Sequence, residues 1–180
     1  MNKNIILIIS VLFLATIFCG TVSATEWNVS PGQSIQEAVD NASDNDTIIV
    51  KDAGGTGAVY NENVVVNKKN LTIRSDGNVT VNTTDPIQSI FTIDSSGSGS
   101  TIQGFTITGQ NDGLGWGAIY MSQVTSCNII GNTFNDNLNS VTLIMSSNNL
   151  ITENFGTGAI YLGDSSYNTI SNNTGLNITL

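Results

Sequence analysis

The stretches Asn128-Ile-Ile-Gly-Asn-Thr-Phe134, Asn149-Leu-Ile-Thr-Glu-Asn-Phe155 and Asn168-Thr-Ile-Ser-Asn-Asn-Thr174 repeat one motif along the second half of the chain. The copies start 21 and 19 residues apart. A period near 20 residues indicates one supersecondary unit stacked on itself, which is a solenoid. The apolar runs from Thr47 onward are short, and Asn, Gly, Ser or Asp separates them. Strands this short favour pairing with their equivalents one turn later, so the sequence predicts an all-β fold, a parallel β-helix.

The motif also predicts which side chains stack from coil to coil. The inward column is predicted as Ile130, Ile151 and Ile170, and a ladder at a turn as Asn132, Asn154 and Asn173. On the following strand the predicted inward residues are Ile119, Met121, Leu143, Met145, Ile160, Leu162, Ile178 and Leu180. The predicted outward residues between them are Tyr120, Ile144, Tyr161 and Thr179. A register slip of one residue would exchange the two faces.

An amino-terminal cap precedes the repeats. Trp27-Asn-Val29 alternates like a short strand, and Ser34-Ile-Gln-Glu37 matches a capping box with Glu37 reaching back to Ser34. Ile35, Ala38, Val39 and Ala42 fall on one helical face, and the short helix should end near Asn41–Asn45. We therefore expect residues 25–46 to cap the open end of a β-helix formed by residues 47–180.

The carboxyl end carries no second cap. Asn177-Ile-Thr-Leu180 reads as an alternating strand with nothing after it. An uncapped coil leaves backbone groups and core side chains open. The sequence thus predicts an incomplete β-helix, with further coils or another chain as the partner at this edge.

Residues 1–24 have the features of a secretory signal peptide. Lys3 precedes an apolar run from Ile5 to Phe18, and the small residues Thr21-Val-Ser-Ala24 predict cleavage after Ala24. The apolar run of 14 residues is short for a membrane span of about 20, although an uncleaved anchor is the alternative. The predicted location is secreted or cell-surface, with membrane contact only through this segment if it stays uncleaved.

Composition restricts partners and cofactors. The chain holds 14 acidic and 5 basic residues, a net charge of −9, which disfavours nucleic acid and anionic lipid as partners. There is no His, and after cleavage Cys127 is the one cysteine that remains, so neither an internal disulfide nor a thiolate zinc site is expected. No cofactor is predicted, and Cys127 is interpreted as a small buried apolar residue.

The amino-terminal third resembles a known superfamily. The stretches concerned are Ser34-Ile-Gln-Glu-Ala-Val39, Asp46-Thr-Ile-Ile-Val50, Tyr60-Asn-Glu-Asn-Val-Val-Val66 and Asn70-Leu-Thr-Ile73. They resemble the start of right-handed parallel β-helix proteins of the pectin lyase-like superfamily. The Asn-x-Ile-x-Asn-Asn repeats and the Gly-Ala-Ile-Tyr runs at 117–120 and 158–161 are similar to that group's repeats. In style and composition the chain is most similar to adhesin-like surface proteins of methanogenic archaea, which implies a secreted, right-handed β-helix.

This superfamily contains enzymes and non-enzymes, so the fold does not settle the function. The Gly-His-Gly and Arg-x-Lys sets of polygalacturonases are missing, because the chain has no His and Arg74 is its only Arg. Nor are the paired Gln motifs of pectin esterases visible. Asp136, Glu153 and Asp164 could align in stacked coils, but they follow different strands and are interpreted as turn residues. No catalytic residue is predicted.

Two kinds of ligand site are considered in and after the Gly-rich loop 109–117. Asn111 and Asp112 are weak metal candidates, because this loop lacks the acids of a calcium loop and Asn-Asp-Gly also suits a plain turn. Trp116, Tyr120 and Tyr161 are the glycan-binding candidates, since exposed aromatic rings stack on sugars. The alternative for Trp116 is local packing over the coil.

Eight Asn-x-Ser/Thr sequons are glycosylation candidates in a host that modifies them. They are Asn28, Asn41, Asn45, Asn70, Asn78, Asn82, Asn172 and Asn177.

The sequence thus predicts a non-catalytic, adhesin-like β-helix that binds a polysaccharide or a glycan of the cell envelope. One alternative is a polysaccharide-active enzyme (lyase, hydrolase or epimerase) whose catalytic coils are missing or unrecognised. The other is a purely structural component of the envelope.

Overall fold

The computed structural model describes residues 23–110 and 116–180. The predicted signal peptide falls almost wholly outside these ranges, as do the metal candidates Asn111 and Asp112. Within the described ranges, no helix has the length and the apolar character that a membrane span requires.

The chain is built from one short helix and a long series of short strands. The helix α1 spans Ile35–Asn41, and one turn of 3-10 helix covers Ser95–Gly97. The first nine strands are β1 Glu26–Val29, β2 Thr47–Lys51, β3 Ala58–Asn61, β4 Val64–Val66, β5 Thr72–Asp76, β6 Val79–Asn82, β7 Phe91–Ile93, β8 Thr101–Gln103 and β9 Thr106–Thr108. The rest are β10 Ile119–Ser122, β11 Asn128–Ile130, β12 Thr133–Asn135, β13 Asn139–Ile144, β14 Leu150–Thr152, β15 Phe155–Gly156, β16 Ala159–Gly163, β17 Thr169–Ser171 and β18 Asn177–Thr179.

The strands form three parallel sheets along the axis of the solenoid. The seven-stranded sheet has the order β1-β2-β5-β8-β11-β14-β17, the six-stranded sheet β4-β7-β10-β13-β16-β18, and the five-stranded sheet β3-β6-β9-β12-β15. From β2 to β16 the chain visits the seven-, five- and six-stranded sheets in turn, so each coil adds one strand to each sheet. The predicted fold class, a parallel β-helix with a short amino-terminal helix, is confirmed.

The coils differ in length, which the motif spacing did not reveal. Contacts between equivalent positions of successive coils join residues 25, 29, 27, 22 and 19 apart along the chain. The period near 20 residues therefore describes only the last coils. Longer turns and loops account for the extra residues earlier in the chain.

One predicted column was wrong by one residue. Ile129, not Ile130, pairs in register with Ile151, and Ile151 pairs with Ile170. Ile129 is fully buried, whereas Ile130 is half-buried on the outer face. The physical reason is the turn that follows, where Gly131, Glu153 and Asn172 adopt left-handed backbone conformations with φ of 62°, 59° and 55° and stack on one another. This alignment sets Cys127, not Asn128, opposite Asn149.

The side-chain directions predicted for the six-stranded sheet are confirmed in part. Val141 and Leu143 pair with Ile119 and Met121, so Leu143 points inward as expected. Met145 does not point inward: it lies beyond β13 in a left-handed turn (φ 48°) and is 53% exposed. Ile178 keeps the inward register, because it pairs with the buried Ile160, but on the last coil it is 58% exposed, and Leu180 beyond β18 is 90% exposed.

The predicted Asn ladder is present. The Oδ1 atom of Asn154 accepts the backbone N–H of Asn132 at 2.9 Å, and its Nδ2 donates to the carbonyl of Ile129 at 2.9 Å. Asn173 repeats both contacts one coil later, on Asn154 and Ile151. A second ladder runs through Asn149 and Asn168, at the points where strands of the seven-stranded sheet begin. Both ladders pair backbone groups that a buried corner would otherwise leave without partners.

The amino-terminal cap forms as predicted, with one difference at the capping box. Ile35, Ala38, Val39 and Ala42 are buried, and the Ser34 hydroxyl accepts the N–H of Glu37 at 3.1 Å. The carboxylate that completes the cap comes from Glu62 in the first coil, not from Glu37. Glu62 accepts hydrogen bonds from Ser34 Oγ at 2.8 Å, Ile35 N at 2.9 Å and Gln36 N at 3.0 Å.

The core is a continuous column of aliphatic residues with three buried phenylalanines. Phe91 and Phe105 pack with ring centroids 5.7 Å apart, and Phe134 is buried one coil further along. Cys127 is a free thiol within this column, and burial raises its pKa. Its interpretation as a small buried apolar residue is confirmed.

Candidate functional site

The outer face of the six-stranded sheet, called the Tyr120 face below, carries a column of side chains that begins with Val65 and continues with Thr and Tyr. The positions in register are Val65, Thr92, Tyr120, Thr142, Tyr161 and Thr179. Tyr120 and Tyr161 are both half-buried and lie two strands apart, which is about 9.6 Å at the usual spacing. The structure therefore brings two of the predicted glycan-binding residues onto one face.

Trp116 joins this face at its edge. Its ring lies 4.5 Å from that of Tyr120, centroid to centroid, in an edge-on arrangement at 71°. The side chain remains 41% exposed, so it packs locally and still presents aromatic surface. The next residue, Gly117, lets the backbone pass close to β13, because a Cβ at that position would lie 2.7 Å from the backbone nitrogen of Thr142.

A cleft of about 220 Å³ opens beside Trp116 and Tyr120. The described residues that line it are Ile87, Gln88, Ser89, Thr92, Trp116 and Tyr120. Ser89 is 5% exposed, and its hydroxyl has no hydrogen-bond partner within the described chain. The sequence did not predict Ile87, Gln88 and Ser89 as part of this cleft, because a turn sequence does not show which residues of another coil the turn will lie beside.

The acidic residues considered for catalysis do not converge. Asp136, Glu153 and Asp164 lie in three different turns, after β12, β14 and β16 respectively. Each adopts a left-handed backbone conformation, with φ of 52°, 59° and 48°. Their positions match turn residues rather than the paired carboxylates that glycoside hydrolysis requires.

The described residues contain no group of three or more His, Cys, Asp or Glu side chains placed to hold a metal ion. The groups with shifted pKa values also lie away from the Tyr120 face. Hydrogen bonds from Ser43 N, Thr25 N and the Trp27 indole lower the pKa of Asp46, while burial raises that of Tyr60. These groups stabilise the cap and the first coil.

The eight sequons differ in what their side-chain amides contact. Nδ2 of Asn41, Asn70 and Asn82 donates to Glu37 O, Asn45 Oδ1 and Asn61 Oδ1 respectively. The other five side chains are exposed, and Asn45 among them accepts from Asn70 as stated: Asn28, Asn45, Asn78, Asn172 and Asn177. Seven of the eight lie outside the six-stranded sheet, and the eighth, Asn177, lies in its last strand, β18.

Fold and sites together describe a parallel β-helix with buried Asn ladders and an aromatic outer face. Among curated proteins, a cell surface glycoprotein from the archaeon Methanothermus fervidus is 38% identical to this chain over 99 residues. The matched segment covers 55% of this chain but only 15% of that glycoprotein. No protein-family model and no solved structure matches the chain significantly, so membership of the pectin lyase-like superfamily stays a prediction.

Proposed function

We propose that this chain is a secreted or cell-surface, non-catalytic β-helix that presents the outer face of its six-stranded sheet to a glycan. The observation that carries the proposal is the placement of Tyr120, Tyr161 and Trp116 on one face. Aromatic rings with a polar atom at the edge suit sugars, which have both an apolar face and hydroxyl groups.

Four further observations support this function. The similar glycoprotein is named for the cell surface. Seven of the eight sequons lie outside the six-stranded sheet and the eighth, Asn177, lies in its last strand, so glycans attached at the other seven would leave the strands of Tyr120 and Tyr161 open. The dispersed carboxylates favour binding over hydrolysis, and the net charge of −9 favours an uncharged glycan over a polyanion.

A glycan array combined with a reducing-end release assay tests the proposal. We expect the secreted chain to bind neutral polysaccharides, and the Tyr120→Ala and Tyr161→Ala variants each to bind more weakly. Tyr167→Ala is the matched control, because Tyr167 is 86% exposed but lies in a turn away from this face.

The outcomes separate the alternatives. Release of new reducing ends would contradict the non-catalytic function and favour a polysaccharide-active enzyme. Absence of binding to any glycan would favour a purely structural envelope component. Equal losses of glycan binding in Tyr161→Ala and Tyr167→Ala would contradict the assignment of the binding site to this face.

A further inference from the structure

The cleft beside Trp116 has one wall that the rest of the fold holds in place. Asn63, from the preceding coil, donates its Nδ2 to Thr83 Oγ1 and to Ser89 O, both at 2.9 Å. Its Oδ1 accepts the N–H groups of Thr84 and Asp85, each at 3.1 Å. The loop that carries Ile87, Gln88 and Ser89 is therefore fixed before any ligand arrives, which reduces the ordering entropy of binding.

The opposite wall is aromatic. Trp116 and Tyr120 meet edge to face, so each ring keeps one surface free of the other. Ile87, which is 56% exposed, adds apolar surface to the lining. An occupant thus meets apolar surface from the aromatic pair and from Ile87.

The floor of the cleft carries the polar feature. The Ser89 hydroxyl is closed to solvent and has no partner among the described residues. A buried unpaired hydroxyl is destabilising, and such groups are rare enough in folded proteins to need an explanation. Pairing with a group in the cleft requires rotation of Ser89 about χ1 to another staggered position.

Resting on the proposed function, we infer that this cleft binds one uncharged pyranose ring of the glycan. The ring stacks against Trp116 or Tyr120, and one of its hydroxyl groups pairs with Ser89 Oγ. A volume of about 220 Å³ is below the range of about 300–1,000 Å³ that holds drug-sized ligands, so the cleft takes one ring. The described lining contains no basic residue, and the Asp85 carboxylate accepts from the Gln88 side chain nearby, so the cleft disfavours uronic acids.

The test uses the side-chain N–H signals of the two tryptophans in NMR titrations of the full secreted chain. The probes are methyl β-glucopyranoside, methyl β-galactopyranoside and sodium galacturonate. We expect at least one neutral probe to shift the Trp116 signal, and galacturonate to leave it unchanged. Trp27 is the internal control, because its indole is bound to Asp46 in the amino-terminal cap.

Ser89→Ala separates a binding role from a structural one. We expect it to weaken the neutral probe about fivefold, the factor that one ordinary hydrogen bond supplies. Thermal stability should be unchanged or higher, because the variant removes an unpaired buried group. Unchanged affinity in Ser89→Ala would overturn the role of this hydroxyl.

The outcomes also distinguish this inference from the proposed function. Suppose that array binding depends on Tyr161 but no neutral probe shifts the Trp116 signal. This result would overturn the cleft as a sugar site and leave the proposed glycan-binding face intact. Stronger binding of galacturonate would overturn the assignment to an uncharged ring. Absence of both array binding and Trp116 shifts would overturn both proposals.

Discussion

At the residue scale, buried asparagines hold the corners of the coils. Each ladder asparagine offers an oxygen to a backbone N–H and a nitrogen to a backbone carbonyl of the coil before it. Asn154 and Asn132 are almost completely buried, so water cannot replace these bonds. The ladders therefore contribute stability through the penalty of leaving peptide groups unpaired.

Asn154→Ala should destabilise the fold by about 1–3 kcal/mol, because it leaves the N–H of Asn132 and the carbonyl of Ile129 buried and unpaired. Urea unfolding followed by circular dichroism measures the change. Asn135→Ala is the matched control, since Asn135 is exposed at the end of β12 and should change stability by less than about 0.5 kcal/mol. Equal effects of the two substitutions would contradict the ladder's role.

Asp46 makes the stability of the cap dependent on pH. Its carboxylate accepts from Ser43 N at 2.8 Å, Thr25 N at 2.7 Å and Trp27 Nε1 at 3.0 Å, which lowers its pKa below the ordinary value of 3.8. Its contribution is complete above the pKa of the unfolded chain, about 3.9, and is lost as the pH falls through the lower folded pKa.

Asp46→Asn should therefore be less stable than the native protein at pH 6, because one amide oxygen replaces two carboxylate oxygens. The difference should narrow as the pH falls below about 4, because the unfolded chain then binds a proton at Asp46 while the folded carboxylate, with its lower pKa, is protonated only at lower pH. Thermal unfolding of both proteins between pH 6 and pH 2.5 checks this. A constant difference across that range would show that the charge of Asp46 is not involved.

At the scale of elements, the helix α1 depends on the first coil. Helix formation leaves the first backbone N–H groups without partners, and seven residues are too few for a stable isolated helix. Glu62 supplies the missing acceptor from 26 to 28 residues further along the chain. The cap and the first coil are thus expected to unfold together.

Glu62→Ala should cost about 1–3 kcal/mol and increase hydrogen exchange at the amides of Ile35 and Gln36. Glu62→Gln should fall between this variant and the native protein, since it keeps one acceptor oxygen. Glu37→Ala serves as the control, because Glu37 is exposed in the first turn of the helix. Faster exchange in Glu37→Ala than in Glu62→Ala would mean that the local capping box dominates.

How far the sequence could predict these elements depends on how far apart along the chain the contacting residues lie. The helix face and the ladder were predictable, because spacing within one segment or one repeat determines them. The Ile130 column and Met145 were mispredicted because the register follows from left-handed turns at positions such as Glu153 and Met145. Glu and Met rarely adopt that conformation, so their identity gives no sign of it. Glu62 and Ser89 act across coils, and no local pattern records such contacts.

At the scale of the whole molecule, the last coil has an open edge. Ile178 and Leu180 are 58% and 90% exposed, and β18 has a partner strand, β16, on one side. An apolar edge strand of this kind is a template for further strands. Such an edge favours pairing with a second copy of this chain.

The chain beginning at residue 25 should therefore self-associate with rising concentration, and Ile178→Lys should reduce that association. Sedimentation velocity measures the effect. Val59→Lys is the control, because Val59 is 64% exposed in the first coil and far from this edge. Association that is insensitive to Ile178→Lys but sensitive to Val59→Lys would place the contact elsewhere.

The direction of the ladders has a consequence for how the protein matures. Asn173 completes the coil of Asn154, and Asn154 completes that of Asn132, never the reverse. A chain that is synthesised from its amino end contains each turn just before the turn that completes its hydrogen bonds. The coils are thus expected to form in order from the amino end, because each new coil completes the hydrogen bonds of the coil before it.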